Sequence, residues 1–210
     1  MKLTDIRQST RENKLLLVFE DNTKLRVWKQ TVADFGLFPG KELTEQEWSS
    51  LCVQADKDAA KERAVRIVSA TNISKKQLDR RLRQKGESEE NAREAVKWLE
   101  ELNFLDDFRT GEMVVRSALN KGYGIHRIRQ ILREKEIPQE YWERLLSDLP
   151  QMDESIDKIL RQKLKSETPD RKEIQQAVDA LRRRGHSWND IKAGLERFQT
   201  RIDLEDPECL

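Results

Sequence analysis

The stretch Leu78-Asp-Arg-Arg-Leu82-Arg-Gln-Lys-Gly86 decides the fold, because the chain carries it three times. It returns as Ile128-Arg-Gln-Ile-Leu132-Arg-Glu-Lys-Glu136 and as Ala177-Val-Asp-Ala-Leu181-Arg-Arg-Arg-Gly185, with anchoring leucines 50 and 49 residues apart. Apolar residues four apart followed by a basic last turn and a glycine describe an amphipathic helix and its C-terminal stop. Working outward, each copy is preceded by a second amphipathic segment, at 57–71, 106–121 and 153–165, and followed by a third, at 89–102, 139–149 and 188–198. Capping sequences recur at Thr44-x-x-Glu47, Ser74-x-x-Gln77, Asp170-x-x-Glu173 and Ser187-x-x-Asp190, and Pro138, Pro150 and Pro169 stand where helical patterns stop. The period is three helices in about 50 residues.

Upstream of the repeats the pattern changes. Lys14–Phe19 is rich in β-formers, Lys24–Trp28 alternates polar with apolar, and Asp21-Asn22-Thr23 between them supplies turn chemistry, so a β-hairpin is expected. Residues 1–8 offer a third strand, and 35–40 read as the loop ending this module. The expected architecture is mostly α with a small N-terminal β module and an elongated array of three tandem three-helix repeats. Its parts are a β-hairpin module at 1–43, a connecting helix start at 44–56, repeats at 57–105, 106–150 and 151–198, and a C-terminal tail at 199–210.

The 210 residues hold 40 Lys plus Arg against 39 Asp plus Glu, so no net field draws the whole chain to nucleic acid or membrane. The longest apolar run, Leu15–Phe19, is far too short to cross a bilayer, and Met1-Lys-Leu-Thr does not open a signal peptide. Cys52 and Cys209 form no CxxC. A cytoplasmic protein without disulfides or a cysteine zinc site is expected. Locally the charge is segregated. Residues 75–85 hold six basic side chains against Asp79, residues 121–135 hold five against Glu134, and residues 87–101 hold six acidic against two basic. Leu78 and Leu82 define a buried face, which leaves Lys76, Arg80 and Arg83 as one outward stripe suited to phosphates or carboxylates.

No catalytic constellation emerges. Lys121-Gly-Tyr-Gly-Ile-His-Arg127 lacks a P-loop's spacing and preceding strand, and reads as a tight interhelical turn. His126 and His186 stand apart without metal-ligand spacing and are expected at the surface or in caps. Asp106-Asp107 suits a helix start, and Trp98, Trp142 and Trp188, each in a third helix, suit small cores. A basic middle helix suggests helix-turn-helix DNA binding, but the acidic third helix of the first repeat would be repelled by phosphate.

These residues together resemble the RecX family, bacterial regulators of the recombinase RecA. The resemblance rests on Ser74-Lys-Lys-Gln-Leu78 with Leu82-Arg-Gln-Lys-Gly86, on Leu99-Glu-Glu-Leu-Asn-Phe-Leu-Asp-Asp107, and above all on Lys121-Gly-Tyr-Gly-Ile-His-Arg-Ile-Arg-Gln130. Asp34-Phe-Gly-Leu-Phe-Pro-Gly-Lys-Glu-Leu-Thr-Glu-Gln-Glu47 is similar to the N-terminal extension of many Gram-positive members, and the likeness spans residues 1–198. It implies a non-enzymatic, monomeric protein without cofactor or metal. Such a protein binds along the groove of the RecA filament on single-stranded DNA, with at most weak direct DNA contact, and restrains ATP hydrolysis, coprotease activity and strand exchange in recombination, repair and the SOS response. The expected contact residues are Lys75, Lys76, Arg80 and Arg83 in the first repeat and Lys121, Arg127, Arg129 and Arg133 in the second. A helix-turn-helix-like module acting without RecA, or a helical scaffold for another protein, are the competing readings. The chain departs from the family pattern at Glu87 and His186, where an aromatic or aliphatic residue usually follows the repeat glycine, and at Glu136, which replaces that glycine.

Overall fold

The computed structural model describes residues 1–9, 13–147, 149–150, 152–164 and 169–198. The tail expected at 199–210, with Cys209, and Lys165 lie outside the described residues. The chain forms two compact units, 1–106 and 107–210.

In the first unit β1 (Leu3–Gln8), β2 (Lys14–Phe19) and β3 (Lys24–Trp28) form an antiparallel meander in that order. The hairpin turn works as its residue types require: Asn22 takes a left-handed φ of 63°, and Asp21 accepts from both the backbone N–H and the hydroxyl of Thr23. Period-2 alternation puts Leu17, Phe19 and Val27 on the covered face with Leu3.

A short helix, α1 (Lys29–Asp34), follows. The segment after it runs back along β1, where Leu3 N–H donates to Lys41, Gly40 N–H to Leu3 and Leu43 N–H to Met1. The stretch expected to end the module as a loop thus satisfies the edge of its first strand.

The capping box of Thr44 and Glu47 starts α2, which runs unbroken from Glu45 to Ala70. The division expected between residues 56 and 57 falls inside this helix, because Ala55-Asp-Lys-Asp-Ala-Ala60 contains nothing that breaks one. Its first half contributes Leu51 and Ala55 to the core under the sheet. Its second half contributes Ala60, Ala64 and Ile67 to a core shared with α3 (Lys75–Gln84) and α4 (Glu89–Glu101), built on Leu78, Leu82, Ala95 and Leu99. Alanines on both α2 and α4 let these helices approach closely. Polar ties reinforce the junction: Asp58, 1% exposed, accepts from the Thr31 hydroxyl at 2.7 Å and from Gln54 at 2.9 Å. Lys14 pairs with Glu62, and Trp28 meets Trp98 with ring centroids 6.0 Å apart.

The second unit holds two further three-helix cores. In one, α5 (Asp107–Asn120) and α6 (Ile125–Glu134) pack with a 3-10 turn at Gln139–Tyr141 that runs into α7 (Trp142–Leu146), around Val115, Ile128, Leu132 and Leu145. In the other, α8 (Asp153–Lys163), α9 (Arg171–Arg183) and α10 (Trp188–Arg197) enclose Ile156, Leu160, Leu181, Ile191 and Leu195. Trp142 and Trp188 are half-buried against these cores, as Trp98 is in the first.

The three middle helices end alike. Leu82, Leu132 and Leu181 each accept, at the backbone, from the residue five positions on: Glu87, Ile137 and His186. That bond needs a left-handed residue in between. Gly86 and Gly185 supply it at φ 91° and 80°, and Glu136 supplies it at φ 54°, so the motif persists without glycine at the strain cost of a β-carbon.

Candidate partner-binding surface

The basic residues of α3 occupy the face opposite Leu78 and Leu82, as their spacing requires, and Lys76, Arg80 and Arg83 are exposed. Part of this charge is answered inside the unit. Lys75 Nζ lies 2.5 Å from Glu100 Oε1 on α4, and Arg83 reaches Asp79 at 3.2 Å and Glu89 at 3.6 Å. Around them Lys57 and Lys61 converge on Glu94, whose carboxyl is held below its ordinary pKa chiefly by the hydrogen bond from Lys57. Glu87 accepts the Arg63 guanidinium at 2.8 Å, so the first departure from the family pattern is absorbed by an ion pair. Lys76 has no acidic partner among the described residues.

On α6 the side chains are deployed differently. Arg127 is half-buried and pairs with Glu134 at 3.3 Å, and the Arg133 guanidinium lies 5.7 Å from the centre of the Trp142 ring. Lys121 and Arg129 are exposed, with no acidic partner among the described residues. The same holds for Arg182 and Arg183, in the last turn of α9. The expected contact set omitted these two, although the run Arg182-Arg183-Arg184 stands where the other repeats place their own basic residues and could have flagged them.

The stretch expected to be a tight turn does more than turn. Gly122 takes φ 67° as anticipated, but Gly124 N–H donates to Arg184 O at 2.9 Å and His126 N–H to Gly185 O at 3.0 Å. These bonds run from the start of α6 to the end of α9, joining the second repeat to the third. They occupy N–H groups that could otherwise have cradled an anion. Arg184 Nη1 donates to Lys121 O at 2.9 Å.

His186, expected at the surface or in a cap, is 3% exposed, with Nε2 3.2 Å from Gly122 O. Burial, chiefly, pushes its pKa down, and the Arg184 charge adds to that against the opposing effect of Gly122 and Asp190. His126 is exposed, as expected.

Three-helix units with basic middle helices, arranged in this order, have counterparts of known family. The family model for the second three-helix domain of RecX matches residues 106–146. The regulatory protein RecX of Vibrio parahaemolyticus is 31% identical over 144 residues, covering 68% of this chain and 93% of the relative. The chain belongs to the RecX family. The RecX of Streptococcus sanguinis is 25% identical along the whole of this chain and 82% of its own length. A crystal structure of regulatory protein RecX shares the fold with a TM-score of 0.74 at 20% identity, over 93% of this chain and 98% of that one.

Proposed function

We propose that this protein is a cytoplasmic, monomeric and non-enzymatic regulator of RecA. It binds the RecA filament on single-stranded DNA and chiefly restrains its ATP hydrolysis, coprotease activity and strand exchange, with consequences for recombination, repair and the SOS response. The observation that carries this reading is membership of a family of regulatory proteins, together with basic middle helices whose outward side chains suit the phosphates of bound DNA or a carboxylate-rich protein surface. Lys75, Lys76, Arg80, Arg83, Lys121, Arg127, Arg129 and Arg133 are the contact candidates, and Arg182 and Arg183, with no acidic partner among the described residues, join them. Tandem repeats suit a polymer, since each can meet a successive subunit while contributing little alone. Charge of this kind steers docking and weakens with salt.

The test is RecA-catalysed ATP hydrolysis on single-stranded DNA with stoichiometric amounts of this protein. A marked fall, relieved by added salt, is expected. Unaltered hydrolysis rejects the reading, and tight sequence-selective binding to duplex DNA alone would point to a helix-turn-helix module working without RecA.

A further inference from the structure

The seam between the second and third repeats is built to tolerances that leave no room for substitution. A β-carbon on Gly124 would sit 2.2 Å from Gly185 O, and one on Gly185 would sit 2.3 Å from the Arg127 nitrogen. Only two glycines face to face allow the N–H groups at the start of α6 to reach the carbonyls at the end of α9. The contact also sets the positive end of one helix dipole on the negative end of another.

His186 closes the arrangement. The Gly122 oxygen only accepts, so Nε2 carries the hydrogen of this bond and the neutral ring leaves Nδ1 bare. Nδ1 is buried and has no hydrogen-bond partner among the described residues. A second proton there would be a buried charge with nothing to receive it.

We propose that Gly124, Gly185 and His186 are positioning residues that lock the basic helices α6 and α9 into one surface, and that protonation of His186 is the event that releases the lock. The charged groups around the ring set its response. From its own segment Arg184 opposes protonation, and from α10 Asp190 favours it, although the Ser187 hydroxyl already engages that carboxylate at 2.6 Å. Across the seam stand Lys121 and Arg127, both cationic. From α8, Asp153, Glu154 and Lys158 line the groove that Gly122 and Arg184 share. With a folded pKa below the ordinary 6.5, the contribution of His186 is complete above that value and is lost as pH falls towards the folded one. The lock acts whatever the chain binds.

Amide hydrogen exchange of the full chain tests it, read at Gly124 and His126 as protection factors, with the Leu195 amide in the third core as control. Between about pH 7.5 and about pH 5.5 the wild type should lose about tenfold in protection at the seam and none at the control. His186→Gln, whose amide can still donate to Gly122 O but does not titrate, should hold its seam protection flat across that range. His186→Ala should be about tenfold less protected at every pH. Superimposable pH profiles for wild type and His186→Gln overturn the proposal, and so does full protection in His186→Ala. Should His186→Ala fail to fold, the comparison with His186→Gln decides alone.

Discussion

The two units differ in how many of their cations are paired. In residues 1–106, Lys57, Lys61, Arg63, Lys75, Arg83, Arg93 and Lys97 each lie within ion-pair distance of a carboxylate of the same unit. In the second unit Arg197 pairs with Asp153 and Asp157, and Arg127 with Glu134, but Lys121, Arg129, Arg182 and Arg183 face solvent without an acidic neighbour among the described residues. A cation already paired offers less to an incoming anion, since the partner must first displace a carboxylate. The near-equality of basic and acidic residues therefore conceals a division of labour. Several of the first unit's cations, such as Lys57, Arg63 and Lys75, tie one helix to another, whereas several of the second unit's have no acidic partner among the described residues.

That contrast can be broken most forcefully at its polar hub. Asp58→Ala removes the acceptor for Thr31 and Gln54 beneath the sheet, and should destabilise the first unit by about 3 kcal/mol while leaving the surface of the second intact. Urea denaturation measures the loss, and a comparable loss of the proposed effect on RecA below the transition would show that the units are not separable in function.

Next comes Gly124→Val, whose side chain must push against the Gly185 backbone. About 2 kcal/mol of the second unit's stability should go, visible as a lowered thermal midpoint, whereas Gly40→Val, with open space around its β-carbon, should suffer only the strain of its positive φ.

The partner-facing half of the comparison is sharpened by charge removal. Replacing Lys121, Arg129, Arg182 and Arg183 together by alanine should weaken binding to RecA on single-stranded DNA about tenfold and flatten its salt dependence. Replacing Lys75 and Arg83 should weaken it about twofold at most, and equal losses in a binding titration would erase the distinction.

The smallest effect is expected at Glu94. Glu94→Gln should cost about 0.5 kcal/mol at neutral pH, because the carboxylate it replaces is partly exposed and its ion pairs are screened by solvent. Its depressed pKa means that the stability it contributes is present above the ordinary carboxylate range and is lost as pH falls through the folded value. The urea midpoints of variant and wild type should accordingly converge in acid, and a difference that persists there would remove the pairing argument.

Much of this was readable in advance, for local reasons. The hairpin turn at Asp21–Thr23, the caps at Thr44, Ser74, Asp170 and Ser187, and the spacing of Leu78 with Leu82 all act within one turn or one helical face. The unbroken run of α2 was less legible, because its two halves face different cores and the apolar spacing shifts between them. His186 takes the capping place expected of it, through its N–H to Leu181 O, but its burial was not legible, because its ring's partner lies 64 residues away.

What the sequence determined by itself was the repeat and its punctuation. The glycines after the first and third basic helices, the capping residues and the leucines four apart act through neighbouring backbone geometry, which the chain carries wherever it goes. What only the tertiary structure decided was the fate of each polar group after folding. Whether Arg83 is paired while Arg182 has no acidic partner among the described residues, or whether the Gly124 N–H cradles an anion or donates to Arg184 O, depends on which distant residue fills the adjacent space. Hydrogen bonds and ion pairs act over a few ångströms in space and are indifferent to separation along the chain, so no local pattern could have assigned them.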